Sequence, residues 1–103
     1  MVYINDTALE DLNRILEGLM MWKKHPLNPE HAENYVDDIA EFCYTLDLLP
    51  FHFKATYQVH IQYGEYAYRY KRSNTTTWYI IYNIDEKGDI FINKIISNYM
   101  TVS

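Results

Sequence analysis

The segment that decides the fold runs from Tyr66 to Tyr99 and reads YAYRYKRSNTTTWYIIYNIDEKGDIFINKIISNY. It contains three runs rich in aromatic and β-branched residues, separated by polar joints at 73–75 and 85–89. The second joint carries its glycine late, where a type I turn needs a residue with positive φ. This pattern predicts a three-stranded antiparallel meander. The predicted strands are Tyr66–Arg72, Trp78–Ile84 and Ile90–Ile96.

The residues before the meander are expected to cover one face of the sheet, because a sheet must bury a face to be stable. Val2–Ile4 is a short apolar run that could add an edge strand. Apolar residues then recur at helical spacing, which predicts a first helix from about Ala8 to Lys23. Thr7 and Glu10 match a capping box at its start.

A second helix is predicted to begin at Asn28, with Pro29 at the first helical position. It is expected to end at Leu48-Leu49-Pro50, because the residue before a proline disfavours helical geometry. Residues 7–48 therefore read as a helical hairpin. Cys43 lies on the apolar stripe of the second helix and is interpreted as a core residue rather than a nucleophile.

Residues Phe51 to Tyr63 alternate apolar and polar side chains, which predicts a strand. Gly64-Glu65 could turn this strand back into Tyr66–Arg72 as a hairpin, or kink one long strand as a bulge. The element order predicts a single α+β domain over residues 1–103, with the helices on one face of the sheet and the other face open.

Charge is unevenly distributed along the chain, whose net charge is −5. Residues 1–53 hold 3 Lys/Arg against 10 Asp/Glu, and residues 54–103 hold 6 against 4. The helical half could meet a basic partner, and the sheet half could contact phosphate. One cysteine and the lack of a signal peptide or long apolar run predict a cytoplasmic protein that does not enter membranes.

The order of elements and the sequence TTWYIIYNIDEKGDIFINKIIS at 76–97 resemble the RelE/ParE superfamily, the toxins of bacterial type II toxin–antitoxin (plasmid stabilisation) modules. The most specific piece is 78–82, where the family typically has an aromatic, an arginine, two apolar residues and a tyrosine. Residues 92–97 resemble the last strand. Tyr79 stands where many members have arginine, and Ser97 where many have histidine.

The resemblance implies a RelE-like toxin that inhibits translation by ribosome-dependent cleavage of mRNA. The alternative is a ParE-like toxin that binds gyrase, or a catalytically degenerate member that acts only by binding proteins. Either function implies a cognate antitoxin, whose C-terminal segment would fold onto the Val2–Ile4 edge or the helical hairpin. A homodimer through the tyrosine-rich strand Phe51–Tyr63 is a further possibility.

RNA cleavage by its own 2′-OH needs a proton acceptor, a cation for the phosphate and a proton donor for the leaving oxygen. If Trp78, Ile80 and Tyr82 face the helices, strand alternation places Tyr79 on the open face. The same alternation places Arg69 and Lys71 on one face of their strand and Arg72 on the other. A catalytic cluster is expected on the open face, and two further cations are expected to bind RNA. No cofactor or metal is expected, since the histidines lack paired metal-ligand spacing. The catalytic candidates are Arg69, Lys71, Tyr79 and Lys94, the RNA-binding candidates are Lys54 and Arg72, and the additional proton-transfer candidates are His52, His60 and Tyr99.

These assignments compete with structural interpretations of the same residues. Arg69 and Lys71 could be solvated charges that protect a sheet edge from aggregation. Tyr79 could be a cross-strand packing residue. A bulge near Lys94 would change the direction of its side chain. The catalytic interpretation predicts that the four catalytic candidates converge in space.

Overall fold

The computed structural model describes residues 1–21, 26–72 and 76–98, which form a four-stranded sheet with helices packed on one face. The strand order is β1-β4-β3-β2, with β1 parallel to β4 and the other neighbours antiparallel. The predicted α+β class is confirmed. The elements are β1 Val2–Ile4, α1 Asp6–Met20, α2 Pro29–Cys43, a 3₁₀ turn Leu46–Leu48, α3 Gln58–Ile61, β2 Tyr66–Lys71, β3 Thr77–Ile84 and β4 Ile90–Ser97.

The three predicted meander strands are confirmed to within two residues at each end. Gly88 in the β3–β4 turn has a φ of 88°, a conformation that favours glycine. The side chain of Asp85 closes this turn by accepting hydrogen bonds of 2.9 Å from the backbone N–H groups of Lys87 and Asp89. The other joint, at 73–75, lies outside the described residues.

Helix α1 begins differently from the prediction. Its N-cap is Asn5, and the proposed cap Thr7 instead donates its hydroxyl hydrogen to the carbonyl oxygen of Asn93 at 2.7 Å. The capping box was wrong because the helix starts at Asp6, almost directly after β1, so Thr7 already lies inside it. The Thr7 hydroxyl is also hydrogen-bonded to β4 and cannot cap the helix. The predicted last residue, Lys23, lies outside the described residues.

The start of α2 is as predicted. The Asn28 side chain accepts a hydrogen bond of 2.9 Å from the backbone N–H of His31, and Pro29 is the first helical residue. The helix ends earlier than expected, at Cys43, and a 3₁₀ turn at Leu46–Leu48 follows before the chain becomes extended. The predicted stop before Pro50 therefore applies to this short turn rather than to the helix itself.

The core lies between α1, α2 and the sheet. The predicted inner face of β3 is confirmed, since Trp78, Ile80 and Tyr82 are buried and the Trp78 indole N–H donates to the Tyr35 hydroxyl at 2.9 Å. Cys43 is completely buried in this core, as predicted. Burial raises the pKa of its thiol to about 12, which leaves it protonated and unreactive at neutral pH.

The predicted strand Phe51–Tyr63 is wrong. Only Lys54 forms a bridge, with Tyr66, and the chain then forms the one-turn helix α3. The apolar positions of the alternation do not face a core, because the Phe51 and Phe53 side chains are 60% and 54% exposed. The polar position His60 is instead buried, so the alternation does not report burial here. The long bulged strand is excluded, and of the hairpin only a short antiparallel contact between residues 53–55 and 65–67 forms.

The sheet face opposite the helices is less open than predicted. Ile81, which points to this face, is completely buried. Gly64 lies directly over it, since a Cβ atom at Gly64 would stand 3.0 Å from the Ile81 Cγ2 atom and 2.9 Å from the Tyr82 carbonyl oxygen. Residues 57–64, named the covering segment from here on, therefore close part of this face.

Within the described ranges, no helix combines the length and the apolar character needed to cross a membrane.

Candidate functional site

A pocket of about 410 Å³ opens where the covering segment meets β2 and β3. It lies on the sheet face opposite the helices, and we name it the β2–β3 pocket. Its walls combine two cationic side chains, several aromatic rings and one histidine. The lining residues are Phe53, Lys54, Thr56, Tyr57, His60, Ala67, Tyr68, Arg69 and Tyr79.

Two of the four predicted catalytic residues meet in this pocket. Arg69 and Tyr79 are register partners in the antiparallel pair of β2 and β3, so their side chains are cross-strand neighbours on one face. Lys54 joins them because backbone hydrogen bonds hold its segment against the outer edge of β2. Its ammonium group pairs with the Glu65 carboxylate at 3.2 Å, and both side chains are exposed. Such an exposed ion pair is weak and exchanges readily for another anion.

His60 lies beneath the aromatic wall of the pocket. Its ring centroid is 4.4 Å from that of Tyr79, and the Tyr57 ring packs edge-on against it at 5.3 Å. The side chain is 2% exposed, and its Nε2 atom is buried with no hydrogen-bond partner among the described residues. Burial lowers the pKa of His60, which keeps the imidazole neutral at pH 7 and able to accept or donate a proton.

Lys71 lies on the same face of β2 as Arg69 but one side-chain repeat further along the strand, opposite Thr77. It does not line the β2–β3 pocket. It lines a second, shallower depression, which it shares with Arg69 and Phe42. Lys71 is therefore close to the candidate site along the backbone but outside its walls.

Lys94 is held elsewhere. Its ammonium group forms a 3.0 Å ion pair with Asp11 of α1, a residue only 2% exposed. Asp11 also accepts a hydrogen bond of 2.9 Å from the backbone N–H of Ile95, so the pair ties α1 to β4. The pairing of β3 with β4 shifts register between Ile81 and Tyr82, next to the position of Lys94. The structure thus does not bring all four catalytic candidates together.

Arg72 points to the helix side of the sheet, as alternation predicted. Its Nε atom donates a 2.8 Å hydrogen bond to the Asp38 carboxylate of α2, and its guanidinium lies 4.3 Å from the centroid of the Tyr35 ring. This side chain is on the opposite face from Arg69. Its assignment as an RNA-binding residue stays a prediction.

The remaining candidates for proton transfer lie in different parts of the molecule. The Nδ1 atom of His52 is 2.8 Å from the Tyr82 hydroxyl, away from the pocket walls. Tyr99 lies outside the described residues. Ser97 is buried at the end of β4, opposite Trp78. Of the predicted proton-transfer residues within the described ranges, only Tyr79 and His60 line the β2–β3 pocket.

Sequence reasoning missed Phe53 and Tyr57 as site residues because it placed them in a strand. The two residues are 54% and 61% exposed, which is unusual for large aromatic residues beside a pocket. The only available signal was the density of aromatic residues in 51–63. The three-dimensional position of that segment, across the sheet, was not encoded in any local pattern.

Among residues 1–21, 26–72 and 76–98, no group of three or more His, Cys, Asp or Glu side chains could hold a metal ion. Comparisons with known proteins found no significant match to this chain among protein-family models, curated proteins or solved structures.

Proposed function

We propose that this chain is the toxin of a type II toxin–antitoxin module of the RelE/ParE kind and that it inhibits translation in the bacterial cytoplasm by cutting mRNA on the ribosome. The observation that carries the proposal is the cross-strand pair of Arg69 and Tyr79, which shares one pocket with Lys54. The confirmed order of one strand, two helices and three antiparallel strands agrees with the fold that the resemblance implies.

The reaction assigned to the pocket is attack of an RNA 2′-oxygen on the adjacent phosphorus. The P–O bond to the 5′-oxygen breaks, which leaves a 2′,3′-cyclic phosphate and a 5′-hydroxyl. Arg69 and Lys54 stabilise the negative charge on the phosphorane, and this electrostatic contribution is usually the largest one. Tyr79 donates a proton to the leaving oxygen, and neutral His60 accepts the proton of the 2′-OH. Because His60 is buried, α3 has to move away from Tyr79 when RNA binds.

Expression of the chain alone in bacteria, with mapping of transcript 5′ ends, tests this function. Growth should stop, and cuts should appear at fixed positions within codons. Arg69→Ala should reduce cleavage by about 100-fold, as expected for loss of a group that stabilises transition-state charge. Lys87→Ala is the matched control, because it removes the same charge from the exposed β3–β4 turn and should leave cleavage unchanged. Arrest without codon-positioned cuts would contradict the nuclease proposal.

A cognate antitoxin is part of the proposal. Its disordered C-terminal segment would fold on binding, and two sites are available at the ends of the sheet. β1 is one edge strand and β2 is the other. The backbone of residues 53–55 hydrogen-bonds to the beginning of β2 only as far as Ala67, so the remainder of the β2 edge is available. Co-expression with the adjacent reading frame should give a stable complex, and separate elution of the two chains would remove this partner.

Pairing of two copies through a strand at residues 51–63 has no structural basis, because these residues do not form that strand. A dimer would have to use another surface. Sedimentation of the purified chain at several concentrations measures this directly.

A second candidate function is a ParE-like toxin that binds gyrase without cutting RNA. It is favoured by the ion pairs of Lys94 with Asp11 and Arg72 with Asp38, which leave fewer cations for a phosphate chain. The net charge of −5 points the same way. Inhibition of DNA supercoiling by purified gyrase, together with intact transcripts, would support this function over mRNA cleavage.

A further inference from the structure

We propose that the β2–β3 pocket binds one single-stranded ribonucleotide, with the base on the exposed Tyr57 ring, the phosphate on Lys54 and Arg69, and the 2′-OH donating a hydrogen bond to Nε2 of His60. This inference rests on the proposed function, since it names the unit of RNA that the same site holds. It adds a base-binding residue and a basis for distinguishing RNA from DNA.

The aromatic wall provides the base-binding surface. Tyr57 and Phe53 both line the pocket and expose 61% and 54% of their surface. Exposed aromatic rings next to cations are the usual platform for single-stranded nucleic acid, because every base has a π-face that can stack. A duplex offers no such free base face. The aromatic wall therefore selects an unpaired nucleotide.

The two cations lie beside this aromatic wall and suit a phosphate. Arg69 can contact two phosphate oxygens at once, and Lys54 contributes a second positive charge. The Glu65 carboxylate already pairs with Lys54 at 3.2 Å, which shows that the ammonium group can hold an anion at this position. A phosphate would replace this exposed carboxylate at little cost.

The unpartnered nitrogen of His60 is the observation that points to a ligand independently of charge. A buried polar atom without a hydrogen bond is unfavourable, and native proteins contain few of them. His60 belongs to the pocket wall, and its Nε2 atom has no partner among the described residues. A hydroxyl group of the ligand would satisfy this nitrogen once α3 moves away from Tyr79, because the atom itself is buried. Ribose supplies such a group at its 2′ position, and deoxyribose does not.

The volume of the pocket sets the size of the ligand. At about 410 Å³ it falls within the range of small-molecule sites and accommodates one nucleotide rather than a stacked series. An acidic peptide would satisfy the two cations, but it would leave the exposed aromatic rings without a stacking partner. The nucleotide accounts for the cations, the rings and the histidine together.

The test is a titration of the purified full-length chain, followed by NMR, with adenosine 3′-monophosphate, its 2′-deoxy form, inorganic phosphate and a short poly-glutamate peptide. The ribonucleotide should bind at least about 5-fold more tightly than phosphate, as expected for one stacked base. It should bind about 2- to 10-fold more tightly than the deoxynucleotide, as expected for one neutral hydrogen bond. The imidazole Nε2 resonance of His60 should shift with the ribonucleotide only.

Variants assign these preferences to residues. Tyr57→Ala should remove the preference for nucleotide over phosphate, whereas Tyr44→Ala, at an exposed tyrosine that does not line the pocket, should keep it. Equal binding of phosphate and nucleotide, equal effects of the two variants, or tighter binding of the peptide would overturn the base-binding assignment. Equal affinity for ribo- and deoxyribonucleotide, with no shift of the His60 resonance, would overturn the 2′-OH contact.

This experiment is independent of the cleavage test. If the ribonucleotide binds as described but transcripts remain intact in cells, the nuclease proposal fails and the binding site stands. If transcripts are cut but the nucleotide does not bind, RNA is held elsewhere and the pocket assignment fails.

Discussion

The two faces of the sheet differ in how they are covered, although the same strands build both. On the helix side, Trp78, Ile80 and Tyr82 are at most 6% exposed and pack against two long helices. On the opposite side, the covering segment buries Ile81 but leaves Arg69 exposed and Tyr79 half-buried. A face covered by helices offers few groups to a ligand. A face covered by one short segment keeps a pocket with charged and aromatic walls.

The comparison separates stability from function along one strand. Alternate residues of β3 serve the core and the candidate site, because successive side chains of a strand point to opposite faces. Substitutions on the helix side should therefore act on the free energy of unfolding. Substitutions on the pocket side should act chiefly on ligand binding.

The largest effect is expected for Ile80→Ala, which opens a cavity in the helix-side core. Ile80 is completely buried, and such truncations cost about 2–5 kcal/mol of unfolding free energy. Arg69→Ala, two positions from the strand end on the exposed side, should change stability by no more than about 0.5 kcal/mol. Urea denaturation of both variants measures the difference. Similar losses would contradict the division between the two faces.

A smaller effect is expected for Gly64→Ala, which tests how closely the covering segment approaches the sheet. The new Cβ atom would stand 2.9 Å from the Tyr82 carbonyl oxygen. The backbone shift that relieves this clash should lower the free energy of unfolding by about 1–3 kcal/mol. The segment should shift away from the sheet, so nucleotide binding in the β2–β3 pocket should also weaken.

Gly18→Ala is the matched control for this substitution. Gly18 lies in helix α1, and a Cβ atom there meets nothing within 4 Å. The same change should therefore stabilise the protein by about 0.5–1 kcal/mol through helix propensity. Thermal unfolding of the two variants gives the sign of each effect, and stabilisation by Gly64→Ala would show that the covering segment is not tightly packed.

The smallest effect is a pH dependence from His60. Burial lowers its pKa in the folded protein, so the unfolded chain binds the proton more readily. The stability contribution is fully present above the unfolded pKa of about 6.5 and is lost as pH falls toward the folded pKa. Burial is the cause of this shift, because the rings of Tyr57 and Tyr79 pack against the imidazole. The charged side chains of Lys54 and Arg69 line the same pocket.

Urea denaturation between about pH 7.5 and about pH 5, which lie on either side of the unfolded histidine pKa, checks this expectation. His60→Gln should flatten the fall in stability toward acid. His31→Gln, at an exposed position in the first turn of α2, should leave the wild-type slope unchanged. An unaltered slope in the His60 variant would show that this imidazole is not buried in its neutral form.

Much of the fold could be predicted because the signals were local. Gly88 marked the β3–β4 turn, Asn28 and Pro29 marked the start of α2, and the run from Trp78 to Tyr82 marked a strand with one buried face. Each of these depends on residues within one turn or one strand. Their physical cause is backbone geometry and the need to bury apolar area, which neighbouring residues report directly.

The candidate site was predicted only in part, because its residues come from distant parts of the chain. Arg69 and Tyr79 were predicted to share a face, and strand register placed them side by side. Lys94 was assigned to the same cluster, but a buried carboxylate on α1 holds it, and no pattern in the sequence links Asp11 to Lys94 across 83 positions. Tyr57 and Phe53 were missed because an alternating pattern suggested a strand where the chain forms a loop and α3.

The sequence by itself determined the α+β order, the turn at Gly88, the buried side of β3 and the placement of Cys43 in the core, since short-range spacing fixes all of these. Only the tertiary structure decided that residues 57–64 cross the sheet, that His60 is buried beside Tyr79, and that Lys54 joins Arg69 in one pocket. The physical reason is that a partly covered sheet face takes whichever segment fills it best. That choice depends on contacts between residues far apart in the chain rather than on any local period.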